Sequence, residues 1–259
     1  MPELPDLQVF SKNLTKLIAG KTLKTVTVHN KKKLKVSEKE LKKTLEGQKV
    51  NKIYREGKEL HIEFNKGDVL GLHMMLKGQL HYLEDSSTIK YPIIELQFSD
   101  NARLIMADFQ GQATPTLNPE VKDSADALSD EVDYNFLKEK LGKTRSAIKN
   151  VLLDQHVIRG IGNAYADEIL WDAGISPFSA SNKIPDTLIK KLDKSIKKVL
   201  RDAEKNILKS HPDIIAGEIR SFLNIHNSKK THSPTGGEIL VKTTGGRKTY
   251  YTEEQELFS

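Results

Sequence analysis

The sequence predicts an α+β protein: an N-terminal antiparallel β-sandwich carrying one helix, then a helical region, then a β-hairpin tail. Three observations point there. Short β-branched runs separated by turn residues fill the chain up to about residue 117. Long stretches of helical periodicity follow, from Tyr134 to about Leu223. Two glycine pairs then interrupt β-prone segments near the end.

The elements follow in order. After Pro5, "DLQVFSKNLTKLIAGK" places Leu7, Phe10, Leu14 and Leu17 at helical spacing, with Asp6 able to cap its start and Gly20 its end. The strand-like runs are "KTVTVHN", "KVNKIYREG", "ELHIEF", "VLGLHMML", "GQLHYL", "YPIIELQF" and "ARLIMADF", with turns such as "NKGD" and "FSDN" between them. Residues 118–133 are acidic, poor in large apolar side chains, and read as a linker. Helices are expected in "YNFLKEKLG", "RSAIKNVLLDQ", "NAYADEILWDAG" and "PDTLIKKLDKSIKKVLRDAEKNILKS". The tail, 224–259, should hold a hairpin or two. The expected division is therefore 1–117, a linker of 118–133, a helical domain of 134–223 and the tail.

Composition narrows the function classes. With 259 residues and 37% hydrophobic content the chain can bury a real core. Its net charge of +6 suits an anionic partner, though ordinary lysine-rich proteins share it. It has no cysteine, which excludes disulfides, thiolate metal sites and cysteine nucleophiles. No apolar run reaches membrane-spanning length and no apolar signal region opens the chain, so a cytoplasmic, non-membrane protein is expected.

Four places can carry chemistry. The opening "MPELPD" puts Pro2 where removal of Met1 would leave a secondary amine. An α-amino group titrates near pH ~8, so a useful fraction is unprotonated and can form a Schiff base, with Glu3 beside it to move protons. Equally, Pro2 can simply lead into a helix. In "REGKEL", Lys58 falls between two strand-like segments, at an expected hairpin, where it can reach a phosphate or serve as a solvated charge. In "HVIRGIGNAYADEIL", Gly160 and Gly162 precede a helix beginning near Asn163, and free amides at a helix N-terminus seat phosphate. In "TTGGRKTYY", a turn at Gly245 and Gly246 would present Arg247 for a bidentate phosphate contact.

Taken in this order, "MPELPD", Lys58, "GIGNAYADEIL…AGISP" and "GGRKTYY" resemble the formamidopyrimidine-DNA glycosylase and endonuclease VIII family over nearly the whole chain. The resemblance implies a bifunctional DNA glycosylase and abasic-site lyase with a helix–two-turn–helix domain and a C-terminal finger. Its partner would be duplex DNA with a damaged base or abasic site, bound by a monomer, with no metal or organic cofactor. It implies Pro2 as the nucleophile on C1′ of a damaged nucleotide and Glu3 as the acid that assists ring opening. Lys58, Asn163 and Arg247 become phosphate contacts, and Glu168 a carboxylate near the active site. Asp6 stands where the family usually has glutamate. A flipped-out nucleotide leaves a gap that an apolar wedge fills. In "HMMLKG" that wedge is Leu76, with Met75 beside it and His73 near phosphate. Strand alternation cannot bury Met74, Met75 and Leu76 on one face, so at least one should be freely placed.

Three departures accompany the resemblance. The family's finger usually holds zinc with four cysteines; this one must be zincless, since His226 and His232 alone cannot hold the metal. After Asp108, Gln110, Gly111 and Gln112 replace an Arg-Arg-Phe cluster. The stretch "IRSFLNIHNSKKTHSP" is short for a loop that closes over oxidised purines. The last two favour oxidised pyrimidines, with ring-opened purines kept as second substrates; the resemblance itself implies strand cleavage by β,δ-elimination. The alternative is a non-catalytic binder of damaged or abasic DNA on the same scaffold.

Overall fold

The computed structural model describes residues 1–259. The chain divides into two compact units, one of residues 1–122 with 207–218, the other of 123–206 with 219–259.

The first unit opens with α1 (Leu4–Ile18). It begins earlier than the sequence suggests. Glu3 is its N-cap, and Asp6 sits at N3 instead of capping. The two residues form a capping box in which Asp6 Oδ2 accepts the Glu3 N–H at 2.8 Å. Pro5 is tolerated because the first turn of a helix needs no N–H from it. Leu7, Phe10, Leu14 and Ile18 form the buried stripe. Then come β1 (Leu23–Val28) and α2 (Glu38–Leu45), a helix the sequence reading missed. Ser37 caps it, accepting the Glu40 N–H at 3.1 Å, and only Leu41 and Leu45 are buried, so its apolar stripe is too thin to show as periodicity.

Strands β2 (Val50–Glu56), β3 (Glu59–Phe64), β4 (Val69–His73), β5 (Gln79–Leu83), β6 (Pro92–Phe98), β7 (Arg103–Ala107) and β8 (Thr114–Leu117) complete the unit. They form two four-stranded sheets, β1-β6-β7-β5 and β2-β3-β4-β8, with every neighbouring pair antiparallel. β4 stops at His73, so Met74, Met75 and Leu76 lie beyond the strand and not in it. One core joins both sheets and α1, and Leu14, Val26, Ile62, Leu72, Leu96 and Leu104 are among its buried members. Burial of such side chains contributes about 1.5–3 kcal/mol each. Ile214 and Ile215 pack on this core, and Asn13 Nδ2 donates to the Ile214 carbonyl at 2.9 Å.

The second unit contains β9 (Ala125–Asp126), α3 (Tyr134–Gly142), α4 (Ile148–Leu153), β10 (Ile158–Arg159), α5 (Asn163–Ala173) and most of α6 (Asp186–Ser210). Asp133 caps α3 by accepting the Phe136 N–H at 2.8 Å. α4 is shorter than the periodic stretch around it. β9 and β10 pair in parallel, Ile158 opposite Ala125. In α6, Ile189, Leu192, Ile196, Leu200 and Ala203 recur at helical spacing and are buried. The tail holds β11 (Leu240–Thr244) and β12 (Arg247–Tyr251), joined antiparallel with Thr244 opposite Arg247. Gly245 (φ +58°) and Gly246 (φ +75°) make the two-residue turn, both in the left-handed region that glycine tolerates best. A single bridge, His232 to Glu238, precedes this hairpin. No helix is long and apolar enough to cross a membrane.

Candidate active site and nucleic-acid interface

Pro2 and Leu76 share a cleft of about 720 Å³ in the first unit. Pro2 is buried at its wall, directly before Glu3, the N-cap of α1, whose N–H is bound by Asp6. Both acids are themselves buried, at 4% and 1% exposure, so the start of the chain is held and not frayed. The Met1 ammonium pairs with Glu218, which also lines the cleft and follows Gly217 at φ +91°. Lys77 and Lys90 add positive charge to the same walls.

A tight turn aims Leu76. The Gly78 N–H donates to the Met74 carbonyl at 2.8 Å, and Met75 adopts φ +50°. A Cβ at Gly78 would lie 2.3 Å from that carbonyl oxygen, so only glycine fits. Met74 is consequently in the core at 2% exposure, while Leu76 stands 62% exposed. Beside it Phe109 is 61% exposed, in the loop that carries Gln110, Gly111 and Gln112. Asp108 builds that loop, its carboxylate accepting the N–H groups of Gln110 (2.9 Å), Gln112 (2.7 Å) and Ala113 (2.9 Å). The sequence reading missed Phe109, Glu218, Lys77 and Lys90. An aromatic residue directly after a turn-forming aspartate was a usable signal for Phe109; the others are ordinary charges until the fold gathers them.

Lys58 and His73 form a second group in this unit. β2 and β3 pair through Glu56 opposite Glu59, leaving Gly57 and Lys58 as the hairpin turn, with Gly57 at φ +55°. His73 Nδ1 accepts the Met75 N–H at 3.1 Å, which puts any ring proton on Nε2 in the neutral form. Burial holds the His73 imidazole below its ordinary 6.5, with Lys122 and Lys58 pushing the same way and Glu59 opposing. At neutral pH it is thus an uncharged donor. Burial would raise Glu59, but His61 and Lys122 outweigh it and bring the carboxyl down to about 2.

In the second unit the structure joins Asn163 to the hairpin. Gly160 (φ +103°) turns the chain and Gly162 is the N-cap of α5, so Asn163 occupies the first helical position. Asn163 Nδ2 donates to the Lys248 carbonyl at 2.9 Å, next in sequence to Arg247, which is exposed at the hairpin turn. Glu168 lies one turn along α5. Its carboxylate accepts the backbone N–H groups of Asn224, Ile225 and His226, each at 2.8 Å. Burial pushes this carboxyl up, against the pull of those three donors. Its observed work is to clamp the segment that leads into the hairpin.

Residues 1–114 match the family model of the formamidopyrimidine-DNA glycosylase N-terminal domain, and residues 124–210 that of its H2TH domain. The chain belongs to the formamidopyrimidine-DNA glycosylase family. Members of this family are bifunctional DNA glycosylase/AP lyases. The formamidopyrimidine-DNA glycosylase of Carboxydothermus hydrogenoformans is 33% identical over 266 residues, covering 97% of this chain and 98% of that one. That of Bacillus subtilis is 29% identical, covering 97% of each. Among solved structures, the Lactococcus lactis glycosylase bound non-covalently to DNA with an abasic site is similar with a TM-score of 0.85 at 25% identity. It matches 98% of this chain and 100% of its own. A family member bound to DNA containing carbocyclic 8-oxoguanine has a TM-score of 0.86 at 27% identity, covering 97% of this chain and 98% of its own. The α+β fold, including the C-terminal hairpin, is thereby that of the glycosylase family, here without a single cysteine.

Proposed function

We propose that this glycosylase removes oxidised bases through a Schiff base on Pro2 and then cleaves the strand by β,δ-elimination. The observation that carries the reading is Pro2 at the wall of a cleft lined by Lys77, Lys90 and Leu76. Once Met1 is removed, the Pro2 nitrogen is a secondary amine. It attacks C1′, the C1′–base bond breaks, and the base leaves with a proton. Glu3 protonates O4′ as the sugar ring opens to the iminium. Loss of a C2′ proton expels the 3′ phosphate, and a second elimination expels the 5′ phosphate. Leu76 fills the gap left by the flipped nucleotide, with Phe109 beside it. Lys58, His73, Asn163 and Arg247 grip phosphates, and Asp6 keeps Glu3 in place through the capping box. The working division is a catalytic domain of 1–117, a helical domain of 134–223 and a finger of 224–259.

Oxidised pyrimidines are the favoured substrates, because Gln110, Gly111 and Gln112 offer none of the bulk that an Arg-Arg-Phe cluster would put opposite a purine lesion. Ring-opened purines are the second reading, favoured by the names of the relatives. Borohydride with lesion duplex tests the chemistry. A chain with Pro2 at its N-terminus, verified by mass spectrometry, should give a trapped covalent complex, and Pro2→Gly and Glu3→Gln should lose normal turnover. A processed enzyme that binds abasic duplex yet is never trapped and never nicks it would establish the non-catalytic alternative. Rates on thymine glycol, dihydrouracil, 8-oxoguanine and formamidopyrimidine duplexes decide the lesion order.

A further inference from the structure

The root of the C-terminal hairpin is built on a buried charge cluster. Asp167 of α5 is 0% exposed. Its Oδ1 is 2.7 Å from Lys149 Nζ of α4, as an ion pair. Its Oδ2 is 2.7 Å from His226 Nδ1 and accepts the Tyr250 N–H at 2.9 Å. Lys149, itself 5% exposed, donates to Thr249 Oγ1 at 2.8 Å and to the Lys248 carbonyl at 3.4 Å. The His226 ring lies against Tyr250 with centroids 4.5 Å apart. Lys248, Thr249 and Tyr250 directly follow Arg247 in β12, so every residue after the arginine up to Tyr250 is tied to this cluster.

We infer that Lys149, Asp167 and His226 are positioning residues that seat β12 on α5 and so aim Arg247. A buried carboxylate is expensive to leave unpaired, and here the cation and a hydrogen-bond donor are supplied from α4 and from the segment at His226, while β12 supplies the third partner. Lifting β12 away strips Asp167 of the Tyr250 donor and Lys149 of Thr249 and Lys248 at once. The contacts of β12 are therefore lost together, and the backbone next to Arg247 stays fixed while β12 is docked. This inference rests on Arg247 gripping phosphate, as proposed above.

Two measurements on the full chain test it: hydrogen exchange of the 247–251 amides, and abasic-duplex binding as a function of salt, for Asp167→Asn, His226→Phe, Lys149→Arg and Arg247→Ala. Asp167→Asn and His226→Phe should speed exchange in β12 and weaken binding by about 10-fold, and adding Arg247→Ala to either should cost little more, since coupled sites are not additive. Asp167→Asn raises the net positive charge, so weaker binding runs against a simple charge effect. Lys149→Arg, which keeps the cation, should retain most of the binding. Unchanged exchange in both loosened variants, or full additivity with Arg247→Ala, overturns the inference. If Asp167→Asn does not fold, His226→Phe decides alone. If Arg247→Ala leaves binding intact, the phosphate reading of Arg247 fails, while the exchange data still judge the seating of β12.

Discussion

At the scale of single residues, the turn from Met74 to Gly78 fixes which apolar side chain of "MML" is presented outward, and with it the proposed wedge. Gly78→Ala forces its Cβ against the Met74 carbonyl. The turn must open, and denaturant melts should show a loss of about 1–3 kcal/mol, the range for strained backbone. Leu76→Ala is the complementary change. Leu76 is 62% exposed, so stability should move by less than about 0.5 kcal/mol, as for other surface sites. Nicking of lesion duplex should nevertheless fall at least several-fold, measured at saturating enzyme. Equal loss of stability and activity in Leu76→Ala would remove it as the wedge. The sequence already showed that "MML" could not be wholly core, because a strand has only two faces. It could not show which residue escapes, because that depends on the strand ending at His73 and on the Gly78 contact. Glu218 was invisible for a similar reason: nothing local links it to the N-terminus, and only the packing of Ile214 and Ile215 on the core brings it there.

Among the elements, α1 and the β11–β12 hairpin carry the most argument. α1 was legible from the spacing of Leu7, Phe10 and Leu14, but its start was misplaced because Asp6 is an equally good cap and N3 residue. Asp6→Ala removes the acceptor of the Glu3 N–H, and thermal or urea unfolding should register a cost of about 1 kcal/mol. Asp6→Asn, which keeps an acceptor oxygen, should recover much of it. The hairpin was legible from "TTGGRKTYY", since a glycine pair between β-prone runs admits few other turns. What holds it was not, because Lys149, Asp167 and His226 are separated in sequence and each looks ordinary by itself. α2 escaped notice because a lysine-rich helix with a two-residue apolar stripe resembles a solvated loop.

For the whole molecule, charge sets the expectations. Net charge of +6 and the phosphate contacts proposed for several elements predict abasic-duplex affinity that falls steeply with salt. Arg247→Ala should shallow the log–log slope by about 1, as removal of one phosphate contact does. Stability should also follow pH through Glu59. Its folded value of about 2 lies below the ordinary 4.5, so its contribution is present above pH 4.5 and is lost as pH falls toward 2. Glu59→Gln should therefore destabilise at pH 7, by an amount on the order of 1 kcal/mol given its partial exposure, and the gap to the parent should close in acid. Unfolding curves at both pH values check this.

The hairpin's root, made of ammonium, carboxylate and imidazole, bears on the conditions under which such a protein works. Peroxide attacks zinc fingers through their sulfur ligands, and the same oxidants damage bases. This root offers them no thiolate. The docking of β12 should thus survive oxidants that would attack a thiolate-built site.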